Sequence, residues 1–273
     1  MNTILVATDN SALANNALNY AAEMATLTNS KIVLVSAYQY IVSSAYDVSV
    51  STFTSEDIRD ALKSTHQKSI DEIKTIHHTL IIESIVEQGA TDSVIIEAAA
   101  LHNAHIIIMG LSGEGAVSKY ILGNTTRNVI RANKFMVMAI PADYVYRGIS
   151  RVVFAFDYEK YSKSKIESFI QFLKAYKSRL LIVNIVDSIA DINSDKAVTG
   201  LLFERELYDI EHTYHYPADE HVAKAITDFC EERKAECLAI IPHHHSFLDK
   251  LFVSSTTDKI LNHITIPLLA IPD

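Results

Sequence analysis

Short apolar runs alternate with amphipathic stretches along the first half of the chain. "TILVAT" (Thr3 to Thr8) is a β-branched, apolar run that stops at Asp9 and Ser11, residue types that start helices. In the stretch that follows, Leu13, Ala17, Leu18, Ala21, Met24 and Ala25 recur at the helical period and define one face for packing on a sheet. "KIVLVSAY" (Lys31 to Tyr38) predicts a second buried strand, followed by a polar loop and a helix from about Ser55 to His78. "LIIESIVE" predicts a third strand ending before Gly89, and a helix from Asp92 to His102 leads to a fourth, "AHIIIMG". "TTRNVIRAN" predicts one more helix before the strand "FMVMAIP". Five strands alternating with four helices need crossover connections, so the expected fold class is α/β with a doubly wound, five-stranded parallel sheet.

The pattern then repeats. "SKYILGNTTRNVIRANKFMVMAIP" (Ser118 to Pro141) aligns without gaps with "DKLFVSSTTDKILNHITIPLLAIP" (Asp249 to Pro272), sharing a lysine, the Thr-Thr pair and a terminal Ala-Ile-Pro. "ILVATD" (Ile4 to Asp9) answers "VVFAFD" (Val152 to Asp157), and "KIVLVSA" answers "RLLIVNI". The chain therefore reads as two such domains in tandem, 1–145 and 146–273, joined near Tyr144 to Ser150. The front segments align at an offset of 148 residues and the back segments at 131, so the second copy is about 17 residues shorter between them. It also lacks the first copy's glycines: Gly110, Gly113 and Gly123 correspond to Ile241, His244 and Ser254, side chains that restrict positive φ.

Composition removes several classes of function. A hydrophobic content of 49% supports a buried core, while a net charge of -9 with no basic block argues against nucleic acid or an anionic membrane as partner. The two cysteines, Cys230 and Cys237, form neither a disulfide framework nor a zinc motif and are expected to be buried free thiols. The start "MNTILVATDNS" has no signal-peptide pattern and no apolar run reaches spanning length, so a cytoplasmic location is expected.

Candidate chemistry is concentrated in "GLSGEGAVSKYILGNTT" (Gly110 to Thr126), which holds four of the chain's seven glycines. It follows the fourth strand directly, at the end of the sheet where doubly wound folds bind ligands. Bare backbone there lets phosphates approach main-chain N–H groups, and the helix after Gly123 adds its dipole, about 0.3 to 1 kcal/mol for an exposed anion. A Walker A motif fails, because Ala116 and Val117 stand where Lys and Ser/Thr belong. A dinucleotide fingerprint fails too, since "GEGAVS" ends in Ser118 and does not follow the first strand. What remains is G-x-x-G, nine residues, then G-N: Gly110, Gly113, Gly123, Asn124. A plainer reading stays open, in which the glycines only shape a turn and Asn124 and Thr125 cap the helix.

That spacing after a fourth strand, present once and degenerate once, resembles the nucleotide-binding universal stress proteins, and the resemblance covers both halves. It implies a Rossmann-like fold in each half and binding of ATP, or of AMP or ADP, in the first. On this resemblance Asp9, Ala37 and Met109 border the nucleoside, and Gly110, Gly113 and Gly123 form the phosphate loop. Asn124 takes the place of a Ser or Thr, with Thr125 beside it. Glu114 stands where a basic residue is common, so Mg²⁺ or Mn²⁺ is expected with the nucleotide to offset its charge. The resemblance also implies that the last strands, "FMVMAIP" and "ITIPLLAIP", pair across a pseudo-twofold within one chain, with a homodimer as a further option.

Other constellations are weaker. "HHH" (His243 to His245) lacks spacing that converges ligands, and Asp157 without a glycine loop suits a helix cap. No metal site is expected in the protein itself. No nucleophile–base pairing or G-x-S-x-G elbow is present, so an ordinary enzyme is not indicated. The expected function is nucleotide-dependent sensing of stress or energy state. The alternatives are a nucleotide-free interaction scaffold and a slow, metal-dependent ATPase using Asp9.

Overall fold

The computed structural model describes residues 2–39, 54–112, 122–155, 163–183, 203–216, 222–242 and 265–272. The first half runs β1 (Thr3–Ala7), α1 (Ala12–Thr28), β2 (Lys31–Tyr38), α2 (Ser55–Ile76), β3 (Ile82–Gln88), α3 (Thr91–Leu101), β4 (Ala104–Gly110), α4 (Asn124–Arg131) and β5 (Met136–Ile140). The second runs β6 (Arg151–Ala155), α5 (Lys163–Tyr176), β7 (Arg179–Val183), β8 (His212–His215), α6 (Val222–Glu232), β9 (Cys237–Ile240) and β10 (Leu268–Ala270). Local chemistry sets several boundaries. Ser11 caps α1 by accepting from the Ala14 N–H at 3.2 Å, and Thr54 and Asp57 form a reciprocal capping box at the start of α2. After α1, α3 and α4 the chain turns at left-handed Asn29, Asn103 and Asn133, so these helix ends use asparagine where glycine is common.

The strands form one ten-stranded sheet in the order β3-β2-β1-β4-β5-β10-β9-β6-β7-β8. Every pairing within a half is parallel, as the alternation of elements requires. The halves meet where β5 pairs antiparallel with β10. There Met138 lies opposite Leu269, its own counterpart in the repeat, while Val137 faces Ala270 and Ala139 faces Leu268. A local pseudo-twofold axis therefore passes between Met138 and Leu269, the geometry of an isologous dimer contact inside one chain. Pairing these apolar strands also removes two exposed edges.

Successive side chains point to opposite faces, and each face carries one apolar layer that crosses the seam. On one face α1, α2 and α5 cover Val6, Leu34, Met138, Leu269, Phe154 and Ile182. On the other, α3, α4 and α6 cover Leu5, Val33, Val137, Ala270, Val153 and Leu181. The connection between halves is tied to α1: Asn16 Nδ2 donates to the carbonyls of Pro141 (3.1 Å) and Tyr144 (3.0 Å), and Tyr20 packs edge-on to Tyr146. Cys230 and Cys237 are buried free thiols, and burial pushes the Cys230 thiol up to about 12. Among the described residues no helix is long and apolar enough to cross a membrane.

Candidate functional site

β2, β1 and β4 are adjacent, and the chain crosses over in opposite directions from β1 and β4, which makes their carboxyl ends the switch point of the first half. Most of the residues singled out in the sequence fall there. Exposed Asp9 follows β1, half-buried Ala37 is near the end of β2, buried Met109 and then Gly110 end β4, and Gly123, Asn124 and Thr125 open α4. Gly113, Glu114, Asp157 and His243 to His245 lie outside the described residues.

The turn after β1 is built from its own side chains. Thr8 Oγ1 accepts from the Asn10 N–H at 2.9 Å, Asp9 Oδ1 accepts from the Ser11 N–H at 3.0 Å, and Asn10 takes a left-handed φ of 62°. Across the switch point the two ends of the glycine loop are pinned together. The Gly123 N–H donates to the Leu111 carbonyl at 2.8 Å, and the Thr126 hydroxyl donates to the Gly110 carbonyl at 3.0 Å. Thr126 is thus turned into the protein, leaving Asn124 exposed and Thr125 half-buried as the first two residues of the helix.

Two expectations need correction. Left-handed glycine is not what this loop uses at its described positions, since the only described glycine with positive φ is Gly148, and Gly123 has φ -64° and ψ 156°. Space is the reason at Gly110, where a Cβ would sit 3.0 Å from the Ser112 carbonyl oxygen and 3.7 Å from that of Leu13. Nor do Asn124 and Thr125 cap α4. Gly123 occupies the cap position, no side-chain cap bond is made there, and the first-turn amides keep their capacity for an anion.

The sequence reading missed a polar chain beneath the same strand ends, running inward from exposed Ser84 to buried His66 and Ser36. His66 of α2 is fully enclosed, with Nε2 2.7 Å from Ser36 Oγ and Nδ1 2.7 Å from Ser84 Oγ, while the Ser36 hydroxyl donates to the Thr8 carbonyl at 2.8 Å. Burial holds the imidazole down to about 4, so it is neutral at physiological pH. A usable signal was present in α2, where His66 precedes Ile70 and Ile73 on one stripe and these are the buried residues of an otherwise polar helix.

Among the described residues no group of three His, Cys, Asp or Glu side chains could hold a metal ion. A cleft of about 360 Å³ lies elsewhere, near the start of β6 and the end of α6, bordered by Arg147, Arg151, Lys234 and Glu236. Glu236 there is already bound to Ser150 and Arg151, and none of the predicted site residues lines it.

The doubly wound sheet, with the uncapped start of α4 at its switch point, places the chain among the Rossmann-like α/β proteins. The universal stress protein family model matches residues 1–141 and again 148–272, and the chain belongs to that family as a tandem member. It is similar to universal stress protein Slr1230 of Synechocystis, with 25% identity over 98% of this chain and 99% of that one. A Staphylococcus aureus protein named for the same family is 28% identical over 52% of this chain and 87% of its own length. The crystal structure of a universal stress protein from Archaeoglobus fulgidus superposes with a TM-score of 0.71 over 98% of this chain and 97% of that chain, and at 20% identity the likeness speaks for the fold alone.

Proposed function

We propose that the first half binds ATP, or AMP or ADP, at the carboxyl ends of β1, β2 and β4, and that the protein acts in the cytoplasm as a sensor of stress or energy state. The observation that carries this reading is the start of α4: a helix with a bare glycine at its cap, tied by the Leu111–Gly123 bond into a glycine loop at the switch point. The residues present fit an anion. Amides of Asn124 and Thr125 would face the phosphates, and Asp9 and Ala37 would border the nucleoside. Mg²⁺ or Mn²⁺ would arrive with the nucleotide and neutralise its charge beside Glu114. No Walker lysine or positioned base accompanies the loop in the sequence, so turnover is expected to stay below about 1 s⁻¹. The second half supplies the partner surface that a single-domain relative would obtain from another copy.

The test is the amount of adenine nucleotide bound per chain, measured by calorimetry and by release from the denatured protein. One nucleotide per chain is expected. Gly113→Val should abolish binding because a branched side chain would fill the loop, and His244→Ala at the matching position of the second half should leave it unchanged. Two nucleotides per chain, or the reverse response of these variants, would overturn the assignment.

A further inference from the structure

We propose that His66 is a positioning residue: through Ser36 it fixes the carboxyl end of β1 against that of β2, and so holds Asp9 and Ala37 in place on either side of the site. The role rests on the reading that a nucleotide binds there. The backbone ladder between the two strands registers Ala7 with Val35 and closes with the Thr8 N–H donating to the Val35 carbonyl at 2.9 Å. One residue further, the link is a side chain, the Ser36 hydroxyl on the Thr8 carbonyl. The next residues along the two strands are Asp9 and Ala37.

Proton counting gives this link a direction. Ser36 has one hydroxyl proton and Thr8 receives it, so the 2.7 Å contact with His66 must be donated by Nε2–H. A neutral imidazole has one N–H, which makes Nδ1 an acceptor and Ser84 its donor. The chain runs one way: Ser84 to His66, His66 to Ser36, Ser36 to Thr8. The Thr8 carbonyl, which can only accept, selects the tautomer, because an Nδ1–H imidazole would claim the Ser36 proton and release that carbonyl, and the Ser84 hydroxyl, able to donate or accept, follows. Ser36 and His66 are 3% and 0% exposed, which leaves water little access to their contact. The second half has an aromatic layer on the corresponding face, with Phe154 5.2 Å from Phe169 and 5.9 Å from Phe203 between ring centroids. Packing alone can therefore fill such a layer, and the polar chain occurs in the half that keeps the glycine loop.

The experiment uses the full chain and four variants: Ser36→Ala, His66→Leu, His66→Gln and Ser84→Ala. Amide hydrogen exchange is followed in the ligand-free protein at residues 8–11, and ATP with Mg²⁺ is titrated into each. Ser36→Ala keeps the imidazole packing, so it should speed exchange in this turn and weaken ATP by about 5- to 10-fold while exchange in β4 and β5 stays as in wild type. His66→Leu should match it. His66→Gln, whose carboxamide N–H can reach Ser36, should restore most of both. The imidazole ¹⁵N spectrum should report the Nε2–H form in wild type and in Ser84→Ala, with Ser36→Ala mixing the tautomers. Unchanged exchange and affinity in Ser36→Ala and His66→Leu would overturn the role, as would exchange raised equally throughout the chain. A wild-type protein that binds none of ATP, ADP and AMP would overturn the nucleotide reading alone, and the exchange measurements would still decide whether His66 holds the turn.

Discussion

The ends of β4 and β9 occupy matching places in the two halves and have diverged in opposite directions. Met109 pairs with Ala139 as Ile240 pairs with Ala270, so Gly110 and Ile241 are equivalent in the sheet as well as in the sequence. At Gly110 an added Cβ would sit a tight 3.0 Å from the Ser112 carbonyl oxygen, and at Ile241 a branched side chain is buried in the core. The last strands show the contrary behaviour. β5 and β10 keep their apolar character and pair about Met138 and Leu269. One copy has a glycine at the end of its fourth strand, both have the seam, and the strand end and the seam vary separately in this fold.

The largest effect should come from moving the second half's residue into the first. Gly110→Ile places a β-branched side chain 3.0 Å from the Ser112 carbonyl oxygen, and all measurable nucleotide binding should be lost by calorimetry. The reciprocal Ile241→Gly should create no second site, because Ser254 still stands where Gly123 opens α4. Binding gained by Ile241→Gly would break the comparison, since it would mean that one residue separates the two halves.

A smaller but still large effect tests the seam. Leu269 is fully buried at the axis, and Leu269→Ala should cost about 2 to 5 kcal/mol, read as a shift in the urea midpoint. Because both apolar layers cross the seam, the transition should remain single and carry the first half with it. An independent transition for the second half would show that the shared layers do not couple the copies.

The repeat and the parallel alternation were legible because each rests on local pattern. Apolar runs such as "KIVLVSAY" are buried by the sheet that they imply, and the matched Ala-Ile-Pro ends lead from the strands that pair. β8 was not legible, since "HTYH" is a half-buried edge strand without apolar alternation. The reason for Gly110 was hidden as well. Sequence suggests freedom of φ, whereas the tight approach is that of the Ser112 carbonyl oxygen in the turn just after the strand, with Leu13 of α1 at ordinary contact distance. His66 belonged to a helix whose polar composition masked its one buried stripe, and its partners come from β2 and β3.

The pH dependence of stability tests the enclosed imidazole of the first half. His66 is held near 4 when folded, below its ordinary value of 6.5, so the unfolded chain takes up the proton first. Its contribution is complete above pH 6.5, declines as the pH falls toward 4 and flattens below that. The loss should be about 3 kcal/mol, and His66→Gln should remove that part of the slope. His105, also held low by burial, contributes in the same direction and should remain. An unchanged slope in His66→Gln would mean that the imidazole is not the enclosed neutral group described.

The smallest expected effect concerns charge within the loop and sharpens the contrast between the half with the glycine loop and the half without it in sequence. Glu114 follows Gly113, and a carboxylate near a triphosphate opposes binding unless a divalent cation intervenes. Glu114→Arg replaces repulsion with attraction, so ATP affinity should rise by about 3- to 10-fold at low salt, with a smaller gain at 0.15 M where exposed charges are screened. The sharper readout is the metal. In wild type, EDTA should weaken ATP binding strongly, and in Glu114→Arg the same treatment should matter much less, because the arginine supplies part of the positive charge. The matching change in the second half, His245→Arg, should alter neither quantity, since no glycine loop brings phosphate to that position. Equal metal dependence in Glu114→Arg and wild type, measured by calorimetry with and without EDTA, would remove Glu114 from the site and leave the cation's role to the nucleotide alone.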